Sequence, residues 1–388
     1  MASQPKELLK DLLKEFPASS YEDWFVQINK DLKGKDYQGL ISQNYDNISI
    51  KPAFSALDID RNLAENINQI CLQDYKGTEN INLNPPKETN YFYFYNCGTA
   101  FEDFLENALK GEFTEKNADI SVNNLHNAGA NATQEIAVAL SMATEFLDKS
   151  TENSNFPVED LIKKVHFSLA IGTDFYLEIA KIRALRYLWT KVALAFAPQH
   201  TPTRVRIHAY TSLFNKTKKD VYNNVLRATM EAMSAFVGGA DALYLSPHNE
   251  LFESPDEFSE RIARNIAIIL DKESHLSKVA DIAAGAYYLE YLTEQLCQKS
   301  WDLFKEMEQK GGFSKAFESG FIVKMVAEVA QKKYEDFRDK KLTLIGVNKY
   351  QNQQENTANQ QENTVNQQEN TANQQENKIQ PFFLEDTV

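Results

Sequence analysis

The sequence predicts an α/β fold built on a parallel sheet, and three features of residues 204–312 carry that expectation. First, two short runs rich in strand formers, at 205–210 (VRIHAY) and 240–245 (ADALYL), stand about one helix apart. Second, Val221, Val225, Leu226, Met230, Met233 and Val237 recur at helical spacing between them, one stripe expected to be buried over a helix at 220–237. Third, Ser254-Pro255-Asp256-Glu257 reads as a helix start, with Ser as N-cap, Pro at the first helical position and Glu three residues after the cap. That helix is expected to run to about residue 270. Strand, helix, strand, helix at this spacing is how βαβ units build a parallel sheet.

The remaining elements follow the same logic. Leu8, Leu9, Leu12, Leu13 and Phe16 share one face of a helix over 6–16, and YEDWFVQINKD predicts a second over 21–31. Their apolar faces need cover, either by folding back on the main domain or by wrapping a partner chain. Residues 48–54 read as extended, 59–73 as a helix, 91–95 (YFYFY) as a strand and 101–109 as a helix. YFYFY is too apolar on both faces for a nucleic-acid platform and fits a buried parallel strand. Further strands are expected at 119–123 and 165–171, with a helix at 133–147. A long amphipathic helix follows at 175–196, its outer side marked by Glu178, Lys181, Arg183 and Arg186. Another runs over 287–309 and ends at Gly311-Gly312, and a last apolar segment lies at 343–347. Gly238-Gly239 closes a helix and so reads as a C-cap before a phosphate cradle.

Residues 352–377 repeat NQQENT with a seven-residue period and no apolar heptad position. Such sequence makes no coiled coil and buries too little surface to offset chain entropy, so a disordered tail is expected. Residues 379–388 (IQPFFLEDTV) regain two Phe and a Leu. The domain reading is therefore an N-terminal helical arm at 1–45, the main domain at 46–348 and a tail at 349–388.

At 388 residues and 43% hydrophobic content the chain can bury a sizeable core. One barrel of about 250 residues plus extensions would account for the length. A net charge of −14 argues against a nucleic-acid binder and against adhesion to an anionic membrane. No stretch approaches the roughly 20 apolar residues of a membrane span, and the first residues lack a signal-peptide core. Cys71, Cys97 and Cys297 are few and unpatterned, which predicts reduced thiols in a cytoplasmic protein. Among candidate site residues, His208 sits at the end of a predicted strand, where parallel barrels place their chemistry. His126, His166 and His248 lie on or just after strands, but their spacing matches no metal motif. Glu250 with Arg261 or Arg264 could handle an anion, against the commoner reading of solvated helix charges.

The phrases DVYNNVLRATMEAM, GGADAL, FSERIARN, VADIAAGAYYLEYLTEQL and LIGVNKY resemble the methylmalonyl-CoA mutase family of coenzyme-B12-dependent acyl-CoA mutases. FYLEIAKIRALRYLW and HNAGANATQEIAVAL match upstream segments, and EFPASSYEDWFVQINKDLKGKDY is similar to the opening of the small subunit of bacterial heterodimeric enzymes. The resemblance implies a TIM-type (β/α)8 barrel around an acyl-CoA, followed by a cobalamin domain whose DxHxxG His ligates cobalt. None of the six His here stands in a DxH context. No cofactor is therefore expected on this chain, and adenosylcobalamin is expected on a larger partner subunit. Residues 58–118 are too short for four βα units of about 30 residues each, so one or two units are expected to be missing or collapsed. The resemblance places His208 at a substrate-contacting position, though in HAYTSLF and not a TSGW phrase. It places Lys164 where the family has a substrate-binding Arg, which loses bidentate carboxylate recognition. SPHNE likewise replaces a pattern closer to TNSxDE.

These features predict the small, non-catalytic subunit of a methylmalonyl-CoA mutase-like heterodimer. His208 is the one weak catalytic candidate, His208 and Lys164 are the substrate-binding candidates, and no metal is expected. Two alternatives stand beside it: a catalytic barrel working with a separate cobalamin-binding chain, and a stand-alone acyl-CoA-binding protein.

Overall fold

The computed structural model describes residues 20–73, 118–153, 156–199 and 203–352. The chain forms two compact units, Met1–Phe54 and Ser55–Val388. In the first, α1 (Tyr21–Asp31) opens with a capping box: Ser20 Oγ accepts from the Asp23 amide at 3.1 Å, and the Ser20 amide donates to the Asp23 carboxylate at 2.9 Å. No residue of α1 is buried. Trp24 and Phe25 meet Tyr37 edge-on at 6.3 and 5.2 Å, which leaves Val26 open to solvent. β1 (Ser42–Gln43) pairs antiparallel with β2 (Ser49–Ile50), and of the two only β2 falls within the segment read as extended. The helix expected at 6–16 lies outside the described residues.

The second unit begins with α2 (Arg61–Leu72). Its sheet holds β3 (Ala118–Ser121), β4 (Val165–Ile171), β5 (Arg206–Thr211) and β6 (Ala242–Tyr244), all parallel and in that order. Strand neighbours in space are thus neighbours in sequence. With right-handed crossovers, such an order puts every connecting helix on one side of the sheet. The connections are α3 (Asn123–Asn127), α4 (Ala132–Asn153) and α5 (Val158–Lys164), then α6 (Phe175–Phe196), then α7 (Asn223–Val237). After β6 come α8 (Glu257–Ile268) with a π-turn at Ile269–Glu273, α9 (Tyr287–Gln309), α10 (Gly312–Glu318) and α11 (Phe321–Arg338). The strand and helix expected at 91–95 and 101–109, and the repeat tail from 353 on, lie outside the described residues.

The helix side of the sheet is the apolar one. Ile120, Val165, Phe167, Leu169, Ile171, Ile207, Ala209 and Leu243 are all buried, and Phe167 meets Trp189 of α6 edge-on at 5.4 Å. A Cβ on Gly238 would stand 2.9 Å from Ile182 Cδ1 and 3.3 Å from Ile179 Cα, so a side chain there would make α6 give way at the end of α7. Farther along the chain, Gln134 Nε2 donates to the Met325 carbonyl at 2.8 Å and Lys333 Nζ to that of Ala130 at 2.9 Å, which pins α11 to the start of α4. Leu344 and Val347 of the last apolar segment pack with Phe214 and Phe337.

Three expectations are corrected. The charges on α6 do not mark an outer face: Glu178, Lys181, Arg183 and Arg186 are all buried. Spacing shows which residues share a face but not whether that face meets water or a buried partner. Arg183 Nε lies 2.9 Å from Asp281, and its Nη2 lies 3.1 Å from Glu290 and also donates to Asn68, tying α6 to α2 and α9. On α7 the stripe is shifted, with Leu226 and Met230 66% and 45% exposed while Ala228, Glu231, Ala232 and Ala235 face inward. Finally, Asp256 and not Ser254 caps α8, in a capping box with Ser259. The helices α10 and α11 had no sequence expectation.

Removing one member of a buried ion pair typically costs about 3–5 kcal/mol, because the other charge stays buried. Arg183→Met should therefore lower stability by about that much in urea titration, while Leu226→Ser should change it by no more than about 0.5 kcal/mol. A small loss for the Arg183 variant would show that the ion pairs contribute little beyond what packing supplies.

Candidate functional site: the polar face of the sheet

The side of the sheet away from the helices carries polar residues in register. Asp119, His166 and Arg206 form one row across β3, β4 and β5. Ser121, Ser168, His208 and Ala242 form the next, and Ala170, Tyr210 and Tyr244 the third. Alternation along each strand produces this face: HFS, RIHAY and ALY put every second side chain on it. Ser168 Oγ donates to Asp119 at 2.7 Å, His166 Nε2 lies 3.5 Å from the same carboxylate, and the His166 and His208 rings are 4.7 Å apart. Tyr210 and Tyr244 follow at 5.9 Å, with the Tyr244 hydroxyl donating to Glu250 at 2.7 Å.

Burial sets the electrostatics of this face. It pushes the Asp119 carboxyl up to about 7, against the hydrogen bond from Ser168 that favours the ionised form. It pushes His166 down to about 4, helped by the charge of His208, and lowers His208 as well. The Tyr210 phenol rises to about 12 through burial and the nearby Asp119 charge. The two imidazoles are therefore neutral near pH 7, and the carboxyl is poised between its forms. Among the described residues Ser121 Oγ and Asn123 Oδ1 are buried with no hydrogen-bond partner.

A second set of charges closes the carboxyl end of β4. His126 Nδ1 meets Glu135 at 2.8 Å, Lys181 Nζ lies 2.9 Å from Glu135 and 2.6 Å from Glu178, and it also donates to the Ala170 carbonyl at 2.8 Å. Burial opposes the charge on both Glu135 and Lys181, yet each holds the other ionised, with the Glu135 pKa lowered and that of Lys181 raised. Beside them Lys216 and Glu231 pair at 2.5 Å, and here burial prevails, lowering the lysine pKa and raising the glutamate's. A Cβ on Gly172 would stand 3.1 Å from His126 Cε1 and 3.2 Å from Glu178, so the turn after β4 accepts only glycine without a shift of its neighbours.

The sequence candidates divide. His208 is on the polar face but in mid-strand, paired in register with Ser168 and Ala242, and not at the strand end. His166 is brought against it. Lys164 ends α5 with its ammonium 5.1 Å over the Phe156 ring. His126 is committed to Glu135, and His248 stacks on Tyr222 at 5.2 Å. Glu250 accepts from Tyr244, while Arg261 lies over Phe258, so the proposed Glu–Arg pair does not form. No cluster of three His, Cys, Asp or Glu suited to a metal occurs among the described residues. Cys71 and Cys297 are free and buried. No helix among the described residues is long and apolar enough to cross a membrane. Sequence reasoning missed Asp119, Ser168 and Tyr210. The signal available was strict alternation of polar with apolar residues in 119–123 and 205–210.

The family model described as methylmalonyl-CoA mutase matches residues 103–382. The chain belongs to the methylmalonyl-CoA mutase family. It is 36% identical over 239 residues to the methylmalonyl-CoA mutase small subunit of Porphyromonas gingivalis, covering 61% of this chain and 38% of that protein. It is 37% identical over 255 residues to the methylmalonyl-CoA mutase of Cereibacter sphaeroides, covering 66% and 36% respectively. With the large subunit from Propionibacterium freudenreichii it shares 36% over 239 residues, 61% of this chain and 33% of that one. The chain thus spans about a third of the length of the curated relatives it matches.

Asp119 and His166 give opposite pH dependences of stability. The raised Asp119 pKa contributes stability that is full below about pH 4 and is lost as pH rises through about 7. The depressed His166 pKa contributes stability that is full above about pH 6.5 and is lost as pH falls through about 4. Between pH 4 and 6.5 the two slopes should largely cancel in the parent protein. Asp119→Asn should expose the histidine slope, gaining on the parent by an amount on the order of 2–4 kcal/mol between pH 4 and 7. Denaturant titrations at several pH values test this. A stability difference that does not change with pH would remove the assignment.

Proposed function

We propose that the chain is the small, non-catalytic subunit of a heterodimeric methylmalonyl-CoA mutase. The observation that carries the reading is the packing of His208. Its ring lies 4.7 Å from His166, beside the buried Asp119. A neutral imidazole stacked on another neutral imidazole, with a carboxyl behind it, is poorly suited to hold an anionic acyl group. Lys164 holds its ammonium 5.1 Å over the Phe156 ring. In this reading the four βα units belong to an eightfold barrel of the TIM type, whose polar inner face retains the layout of an acyl-CoA channel without its chemistry.

The larger chain would hold adenosylcobalamin and carry out the interconversion of methylmalonyl-CoA and succinyl-CoA. His126 is committed to Glu135, and none of the six His stands in a DxH context. The outer side of α1, where Val26 is 68% exposed, is the proposed contact with the larger chain. A relative named as a small subunit supports the heterodimer. The comparable identity to the Cereibacter sphaeroides mutase favours, as a second reading, a catalytic barrel working with a separate cobalamin chain.

A pull-down of the tagged protein from its own cell extract should recover a larger cobalamin-binding chain in near-equal amount. Mutase activity of that complex should change less than about twofold on His208→Ala. A loss of a hundredfold or more, which would correspond to about 2.7 kcal/mol of transition-state stabilisation, would replace the non-catalytic reading with the catalytic one. Recovery of the protein without a second chain would end the heterodimer proposal.

A further inference from the structure

Where β5 and β6 begin, at the end of the sheet opposite the His126–Glu135–Lys181 set, a cavity of about 10 Å³ is lined by Cys71, Arg186, Arg204, Gly239, Val279 and Asp281. It has room for about one water-sized particle. Val279, 61% exposed, marks the way to solvent. Two guanidinium groups share one carboxylate here: Arg186 Nη2 lies 2.9 Å from Asp241, and Arg204 Nε lies 3.1 Å from it. The carboxylate in the lining is committed elsewhere. Asp281 Oδ1 lies 2.9 Å from Arg183 Nε, and Oδ2 accepts from Arg183 Nη2 at 3.2 Å. Glu290 is also held by Arg183, so that guanidinium has two carboxylates to itself. The Cys71 thiol adds no charge, because burial pushes its pKa up. Positive charge is thus in excess on the Arg186–Arg204 side. Arg186 is 1% exposed, and its Nε has no hydrogen-bond partner among the described residues. A buried charged donor left unpaired is costly. Gly239 keeps the space open: a Cβ there would stand 3.3 Å from Arg204 Nη2 and 3.7 Å from Arg186 Nη1.

We propose that this cavity binds one chloride ion, held by Arg186 and Arg204. Size selects a monatomic anion, since a phosphate, a sulfate or a carboxylate needs more room than one water. Charge selects an anion over water. A water molecule would accept from Arg186 Nε but leave the positive excess in place. The position gives the ion a structural task. In parallel barrels the amino ends of the strands serve stability, whereas the carboxyl ends carry chemistry. The ion ties α6, through Arg186, to the segment entering β5, through Arg204, beside the turn at Gly239 that leads into β6. Such a site lies apart from the polar face of the sheet and does not depend on the mutase reading.

Urea titration of the full-length chain at constant ionic strength, with sodium chloride exchanged for sodium gluconate, tests the site. Chloride at about 0.3 M should lower the unfolding constant about tenfold, as a site with a dissociation constant of about 30 mM would. Gly239→Ala should lose that response, because its methyl group enters the cavity. The strain of a side chain at φ +77° lowers stability in both salts alike and drops out of the comparison. Any general salt effect persists in this variant, so the difference between parent and variant reads the cavity. Asp241→Asn removes the carboxylate that both guanidinium groups share and should raise the response to about a hundredfold. Equal stability of the parent in the two salts would overturn the proposal and leave the cavity to water. A chloride response that survives Gly239→Ala unchanged would overturn it too, placing the ion elsewhere.

Discussion

The structure depends on the side chains that α6 carries into the interior. A helix of 22 residues with two arginines, a lysine and a glutamate buried can be stable only if every one of these charges finds a partner. Each does so in a different direction. Arg183 reaches Asp281 and Glu290, Arg186 reaches Asp241 and the Gly239 carbonyl, and Lys181 reaches Glu135, Glu178 and the Ala170 carbonyl. Arg204, beside the same Asp241, extends the set to the Cys71 carbonyl at the end of α2. The helix is thereby located against α2, α4, α9 and the strand ends with a directionality that methyl groups could not provide. Hydrophobic contact such as Phe167 on Trp189 supplies attraction, and the ion pairs supply register.

The sheet follows from that scaffold. Its apolar side is closed by α4, α6 and α7, so its polar side is left for whatever else the chain or a partner brings. Polarity in a buried layer is costly unless each group is satisfied. Here the satisfaction is partial: Asp119 is bonded to Ser168, the two histidines stack, and Ser121 Oγ and Asn123 Oδ1 have no hydrogen-bond partner among the described residues.

Much of this was legible in the residues. The boundaries of α1, β4, α6 and α9 emerge from periodicity alone, because long amphipathic or β-branched runs leave little choice of local structure. The failures have physical causes. Leu226 and Met230 share a helical stripe with Val225 and Met233, but the inner face of α7 is built from small residues and Glu231, since it lies close to α6 and holds Lys216. Hydrophobicity identified a face; close packing selected another. Arg183 and Arg186 were read as solvent-facing because arginine usually is, and their partners lie 98 and 55 residues away, beyond any local pattern. The Asp119–His166–Ser168 set was missed for the same reason, since register between strands, not spacing within one, brings it together.

The same contrast bears on His208. The residues put His208 at a strand end and the resemblance put it at a substrate-contacting position, yet a strand position acquires chemistry from what its register places beside it. In β5 the neighbours are Ser168 and Ala242, and diagonally His166, all on a face whose nearest carboxyl is buried. A histidine that must stabilise an incoming negative charge needs a proton or a donor aimed at the ligand. Burial and the Arg206 guanidinium both act to keep this one unprotonated, with only Asp241 pulling the other way. Asp241 is also the partner of Arg186 and Arg204, so the ring feels a charge that belongs to the ion pairs of α6.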